Sequence, residues 1–253
     1  MKKIFALLAL LAGIVTAAEA QVVDVYKNGE LVKSYTNSAE DNYKVVIRKE
    51  SKTVPDTSAH EMVDLGLPSG LLWATCNVGA STPYEDGDYF AWGETAPKSD
   101  YRWSTYKWCN GSYNTLTKYC YDSSLGYNGF TDDKTVLDAE DDAATANWGA
   151  GYRMPTYAEF TELNNNCTWT WDSSHNGYNV TGTNGNSIFL PASGCRSGSS
   201  LYNHGSYGHY WSATLDSGDA DYAYSFDFDS GLCSPFYYYG RSYGHSVRPV
   251  AEP

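Results

Sequence analysis

Apolar and polar residues alternate most regularly near the C-terminus, in Tyr224-Ser225-Phe226-Asp227-Phe228-Asp229. A strand of that period turns Tyr224, Phe226 and Phe228 to one side and Ser225, Asp227 and Asp229 to the other. The aromatic side is expected in the core and the polar side toward solvent or a ligand. Truncating Phe226 or Phe228 to Ala should then cost about 3–5 kcal/mol, and changing Asp227 should be nearly silent for stability. At the other end, Val22 to Tyr26 and Leu31 to Tyr35 flank Asn28-Gly29, a dipeptide that tolerates the positive φ of a tight hairpin turn. Tyr43 to Arg48 could add a third strand, giving a small β-unit over residues 21–50. So few strands bury little alone, so the unit is expected to pack on the main domain or on a partner. Residues 51–61 lack periodicity and carry a Pro, which predicts a linker.

The main domain is expected over residues 62–253. Val63 to Leu67, Pro68-Ser69-Gly70 and Leu71 to Cys76 form an apolar hairpin pattern, followed by a long loop-rich section holding Trp92, Trp103 and Trp108. Two short helices are predicted. One runs from about Asp141 to Trp148, with Asp141 or Asp142 as its cap. The other is opened by the capping box Thr156-Tyr157-Ala158-Glu159, turns Phe160 and Leu163 inward, and stops in Asn164-Asn165-Asn166. Asn184-Gly185 marks a second tight turn leading into Ile188 to Pro191. Two helices ahead of a strand- and loop-rich C-terminal half make the fold class α+β.

Lys2 and Lys3, an apolar run from Ile4 to Ala18 and the closing Ala18-Glu19-Ala20 match a secretory signal peptide over residues 1–20, with Gln21 as the first mature residue. The run is too short to favour a membrane span, and no later segment is apolar enough to cross a bilayer. The expectation is a secreted protein of the periplasm, cell surface or extracellular space. Without Lys2, Lys3 and Glu19 the net charge moves from −13 to −14. A chain this acidic repels phosphate backbones, which argues against nucleic acid as a partner. Export permits disulfides among the six cysteines. Cys109 and Cys120 flank a Gly/Asn/Ser loop and make the most plausible local bridge, whereas Cys76 and Cys167, beside apolar or aromatic residues, suit buried free thiols.

Composition changes the picture from Cys195 to His245. Tyr, Ser, Gly, Asp and His crowd this stretch, and no Lys, Gln, Glu or Met occurs between Glu162 and Glu252. Tyrosine offers large, stiff, amphipathic contact area while Ser, Gly and Asn adapt their hydrogen bonding, as in antibody combining loops. A Tyr/Gly-rich β-region with no binding role would share the composition. Recognition is favoured because exposed aromatics build binding hot spots.

Several motifs resemble a known family. They are Val63 to Ala74, Asp88-Tyr89-Phe90-Ala91-Trp92-Gly93-Glu94, Trp148-Gly149 with Arg153-Met154-Pro155-Thr156, Tyr210-Trp211-Ser212 and Ser246-Val247-Arg248-Pro249-Val250. Together they look like the Fibrobacter succinogenes major paralogous domain, common in secreted proteins of gut Bacteroidota. That domain is similar in turn to the C-type-lectin-like fold of formylglycine-generating enzymes and of the variable proteins of diversity-generating retroelements. The likeness spans about residues 62–250. It implies a fixed scaffold, including Trp211, Arg241 and Arg248, beneath positions open to variation. Adenine-directed mutation of AAC-type codons yields Tyr, Ser, Asp, His, Cys, Phe, Gly or Asn and never Lys, Gln, Glu, Met or Trp. On this reading Tyr202, Asn203, His204, His209, Asp227, Asp229 and Phe236 to Tyr239 vary; duplication of plain paralogues is the competing source of variability.

These readings lead to a secreted, non-enzymatic binding protein. Its ligand face is drawn from Tyr202, Asn203, His204, His209, Tyr222, Asp227, Asp229, Phe236, Tyr237, Tyr238, Tyr239, Tyr243 and His245. The ligand class, glycan or protein, stays open, and no cofactor is expected. The alternative is a structural or surface-assembly module that docks an envelope protein through the N-terminal β-unit. An oxidase of the formylglycine-generating kind is disfavoured, because Cys195 and Cys233 are far apart and only Arg196 supplies a neighbouring cation. No metal is expected: His204 and His209 lie in a Gly/Ser loop. Asp132-Asp133 and Asp138 to Asp142 do not follow the spacing of an EF-hand, and the sugar-binding signatures of calcium-dependent lectins are absent.

Overall fold

The computed structural model describes residues 60–253, apart from the side chains of 234–236, together with the backbone of residues 21–27 and 30–37. The chain divides into two compact units, residues 1–51 and 52–253. In the first, β1 (Gln21–Lys27) and β2 (Glu30–Asn37) pair antiparallel on either side of Asn28-Gly29. The proposed third strand at Tyr43 to Arg48 and most of the linker lie outside the described residues.

The second unit is a mixed α+β assembly of several small antiparallel sheets. It opens with the expected hairpin, β3 (Met62–Asp64) against β4 (Leu72–Ala74), turned by Gly70 at φ +73°. Irregular chain follows to α1 (Ala143–Trp148), whose amide at Thr145 donates to the Asp142 carboxylate at 2.9 Å. Next comes α2 (Tyr157–Asn166), with both halves of the capping box in place: Glu159 N donates to Thr156 Oγ1, and Thr156 N donates to Glu159 Oε2 at 2.7 Å. The meander β5 (Thr168–Asp172), β6 (Gly177–Thr181) and β7 (Ser187–Pro191) uses the Asn184-Gly185 turn between its last two strands. The short pair β8 (Cys195–Ser197) and β9 (Ser200–Tyr202) leads into a longer meander, β10 (Gly208–Leu215), β11 (Tyr222–Asp229) and β12 (Leu232–Gly240). Finally β13 (Val250–Ala251) returns to pair with β4, bringing the C-terminus back beside the first hairpin of the unit.

The β10–β11–β12 sheet is covered on both faces, and this decides where the site lies. One face carries Phe226 and Phe228 into a core shared with Leu65, Trp73, Phe160 and Leu190. There Phe226 stacks on Phe160 of α2 at 5.1 Å. A Cβ on Gly208 would meet the Phe228 ring at 2.1 Å, so glycine is needed for the ring to lie across the neighbouring strand. The opposite face carries Trp211 and Ala223 against Trp92, Phe90 and Val247. The Trp92 and Trp211 indoles donate to the Ser212 and Phe90 carbonyls, each at 2.8 Å, and so tie the loop-rich segment to the sheet.

Two expectations are corrected here. The polar side of β11 does not face solvent: Ser225 and Asp227 are buried, because chain from residues 77–92 and 245–247 packs over that face. Cys109 and Cys120 are not bridged; both are free thiols whose hydrogens point to backbone carbonyls, Cys109 to Trp103 and Cys120 to Asp122, each at 3.1 Å.

The scaffold roles of Trp211, Arg241 and Arg248 match their places in the fold, since all three are fully buried. Arg248 donates to Asn77 Oδ1 and to the carbonyls of Ala74, Thr75 and Phe189. Arg241 donates to Tyr106 Oη and to the carbonyls of Lys118, Tyr119 and Ala220. Each guanidinium spreads its donors over oxygens from separate segments, so Arg241 holds irregular chain in register where no ladder could, and Arg248 ties β4 and the chain after it to β7.

Candidate binding face

The expected site residues fall into three groups. The first sits at the β8–β9 end. Tyr202 is half exposed, Asn203 turns the chain at φ +59°, and the exposed His204 places Nε2 2.7 Å from Asp86 Oδ2.

The second group lies along β11 and β12. Tyr224 pairs across the strands with Tyr238, and Tyr222 meets Tyr238 ring edge to ring face at 5.5 Å. Because side chains alternate along a strand, Tyr222 and Tyr224 share a face, and Tyr238 joins them from the next strand. Tyr157, the first residue of α2, packs on Tyr224 at 4.5 Å. The result is a tyrosine stripe in which Tyr238 remains 56% exposed. Tyr237, 46% exposed, belongs to the other face of β12. Asp229 is a turn residue: its Oδ1 accepts from Gly231 N and Leu232 N at 2.8 and 3.0 Å. The side chain of Phe236 lies outside the described residues.

The third group is interior. His209, Asp227 and His245 are buried, and Tyr239 and Tyr243 half-buried. His209 Nδ1 lies 2.7 Å from Asp227 Oδ2, and the Ser225 hydroxyl donates to Asp227 Oδ1 at 2.6 Å. With its one proton committed to that carboxylate, Ser225 Oγ accepts from His245 Nδ1 at 3.1 Å. That arrangement leaves His245 Nε2 as the bare nitrogen. Burial, and then the nearby His209, hold the His245 pKa well below its ordinary value, so the ring is neutral. The ring of Trp211 stacks on His245 at 4.0 Å. Tyr239 meets both imidazoles edge-on, at 5.3 and 4.8 Å, and its hydroxyl pKa is raised by burial and then by Asp227. Among the described residues the Nε2 atoms of His209 and His245 are buried without a protein partner. A buried water is the natural occupant of such positions.

Cys195 lies near Asp227 on the inner face of β11, whereas Cys233 pairs in register with Phe228 and packs against the outer core. Burial pushes both thiols up to about 11, away from the thiolate that nucleophilic or oxidative chemistry requires. The acidic cluster Asp138, Glu140 and Asp141 surrounds the ammonium of Lys118, whose Nζ stands 2.7, 3.2 and 2.6 Å from them. Burial opposes that charge, but the hydrogen bonds that Lys118 donates to the carboxylates prevail and raise its pKa. The cluster is thus engaged by cations of the chain itself, since Lys107 also pairs with Asp141 and Lys134 with Asp138.

Sequence reasoning missed Ser225, Tyr157 and Tyr224 as members of these constellations. Alternation assigned Tyr224 to the core and Ser225 to solvent. The bond between Tyr157 and Tyr224 joins a helix N-terminus to a strand far along the chain, and no local pattern encodes it.

A family described as Domain of unknown function (DUF8237) matches residues 168–250, which run from the start of β5 to the start of β13. The matched segment therefore contains the interior network and all of the tyrosine stripe except Tyr157. No curated protein and no solved structure matches the chain. Among the described residues, no helix is long and apolar enough to cross a membrane.

Proposed function

We propose that this chain is an exported, non-enzymatic ligand-binding protein, built on a C-type-lectin-like scaffold of the Fibrobacter succinogenes major paralogous kind. Its recognition surface centres on the exposed tyrosines of β9 and β12. The observation that carries this reading is the exposure of Tyr202, Tyr237 and Tyr238, at 50%, 46% and 56%, the last two on a strand paired to β11, which is anchored in two cores through Phe226, Phe228 and Ala223. Exposed, stiff aromatics on a fixed frame lose little entropy when they are covered. The interior His209–Asp227–Ser225–His245 network acts as the support that fixes β10, β11 and the chain before β13 beneath that surface. Variation, if retroelement-driven, would fall on Tyr202, Asn203, His204, Tyr237 and Tyr238, whose side chains can change without unpairing a buried group. The raised Cys195 and Cys233 thiols, on opposite faces of β11, support a role without cysteine chemistry.

The test is binding of the full chain to an array of immobilised glycans and extracellular proteins, compared with the Tyr237→Ala/Tyr238→Ala double variant. Loss of the wild-type signals with an unchanged melting temperature is the expected result. Equal binding by both proteins would overturn the reading. One observation favours a second reading, as an envelope assembly module: the β1–β2 hairpin belongs to a compact unit of its own. Loss of cell-surface retention on deleting residues 21–50, with array binding intact, would assign the hairpin that role.

A further inference from the structure

The charge around the tyrosine stripe is one-sided. Between Glu162 and Glu252 the only Lys or Arg residues are Arg196, Arg241 and Arg248. Arg241 and Arg248 are fully buried with their donors committed to interior oxygens. Arg196 lies over the Tyr89 ring at 4.9 Å. The acidic residues are placed differently. The turn from Asp216 to Asp221 joins β10 to β11 and lies against the stripe: Ser217 Oγ is 2.9 Å from Tyr224 Oη, and Tyr222 N donates to the Asp219 carbonyl at 3.1 Å. Asp219 is exposed, whereas Asp221, directly before Tyr222, is buried. The Asp221 carboxyl is pushed up to about 7 by burial and by Asp219. Lys134, beside the segment that Leu215 bonds through Thr135, is engaged by Asp138.

We infer that the stripe Tyr157, Tyr222, Tyr224 and Tyr238, with the exposed Asp219 at its edge, is a docking surface for a lysine- or arginine-bearing segment of another protein. The inference rests on the binding reading above and names its partner class. Tyrosine faces attract ammonium and guanidinium groups through the ring quadrupole. The Asp219 carboxylate at the margin adds a field of the same sense, which steers a cationic partner and repels an acidic one. Anionic glycans are disfavoured by the same field. A neutral glycan could stack on the rings and donate a hydroxyl to Asp219, but the negative field would not attract it.

The probe is a fluorescein-labelled peptide of alternating lysine and serine, titrated against the full chain by fluorescence anisotropy, with a glutamate–serine peptide as its counterpart. The lysine peptide should bind and the glutamate peptide should not. Its affinity should weaken severalfold between about 0.05 and about 0.5 M salt, because charges at an exposed rim are screened. Tyr238→Ala should weaken it by about tenfold. Asp219→Asn should do so by roughly two- to fivefold. Tyr113→Ala, an exposed tyrosine remote in sequence from the stripe, should leave it unchanged. Equal binding of the two peptides, or lysine-peptide binding indifferent to Tyr238→Ala, would overturn the inference. So would silence toward the lysine peptide while a neutral glycan binds in a Tyr238-dependent way, an outcome that keeps the binding reading and removes only the cationic partner.

Discussion

His209 Nδ1 and Asp227 Oδ2 stand 2.7 Å apart between directly opposed positions of β10 and β11, both side chains shut off from solvent. The alternating pattern marks Asp227 as dispensable, and this pairing reverses that expectation. Its other oxygen accepts the Ser225 hydroxyl, so removing the carboxyl takes a buried partner from both His209 and Ser225 at once. Asp227→Ala should destabilise the domain by on the order of 3–5 kcal/mol, the usual scale for breaking a buried polar pair. Asp227→Asn, which keeps an acceptor in place, should lose less. Urea unfolding of the variants measures this, and a Asp227→Ala midpoint equal to that of the wild type would contradict the buried network.

Two titrating groups should tilt stability against pH in opposite senses. His245 has its folded pKa lowered, so between that value and its ordinary value of about 6.5 the unfolded chain binds a proton that the folded chain does not. Stability from this group is complete above about 6.5 and is lost as the pH falls below it. Asp221 has its folded pKa raised to about 7, so from about 4 to 7 the folded chain holds the extra proton. Stability from Asp221 is therefore present at low pH and lost as the pH rises toward neutrality. Relative to wild type, His245→Gln should flatten the decline on acidification, and Asp221→Asn should remove the decline on approach to neutrality. Melting temperatures of the three proteins from pH 4 to pH 8 separate the effects; parallel curves would show that neither group is perturbed.

The buried guanidinium groups give a third expectation. Arg248 reaches four separate oxygens, from Asn77, Ala74, Thr75 and Phe189, and burial lowers its pKa while leaving it charged. A lysine offers one compact ammonium in place of a planar fork and cannot span the same acceptors. Arg248→Lys should thus cost roughly as much as Arg248→Met, about 3–5 kcal/mol by the scale for uncompensated buried groups. Near-wild-type stability of the lysine variant would mean that charge alone, and not the fork, holds these loops.

Local patterns located what local forces determine. The capping box at Thr156 and Glu159 and the Asn-Gly turn at residue 184 are each written in adjacent residues, and each lies at or between the elements expected of it. The α+β class followed from the same signals. What alternation could not say is how many faces of a sheet are covered. Period two separates Phe226 from Asp227 but leaves both sides of β11 open to burial, and the long irregular chain around Trp92 supplies the second cover. Hence Tyr202, Tyr237 and Tyr238 lie outside while His209, Asp227 and His245, drawn from the same biased stretch, lie within. The stripe itself needs Tyr157, which is brought to Tyr224 only by the packing of α2 on the sheet.

The cysteines supply the last test, because the proposed export of a chain with six of them would permit a disulfide framework. All six are free thiols, divided among separate environments: Cys233 in the outer core, Cys195 near Asp227, and Cys120 buried beside Leu116 and Ala220. Burial raises Cys167, Cys195 and Cys233 to about 11, which leaves little thiolate at pH 8. Ellman's reagent should therefore react slowly with these three in the native protein and rapidly with all six in denaturant. The melting temperature should be the same with and without dithiothreitol, since no cross-link restrains the unfolded chain. A shortfall of two thiols in denaturant, with a fall in melting temperature on reduction, would instead restore the Cys109–Cys120 bridge.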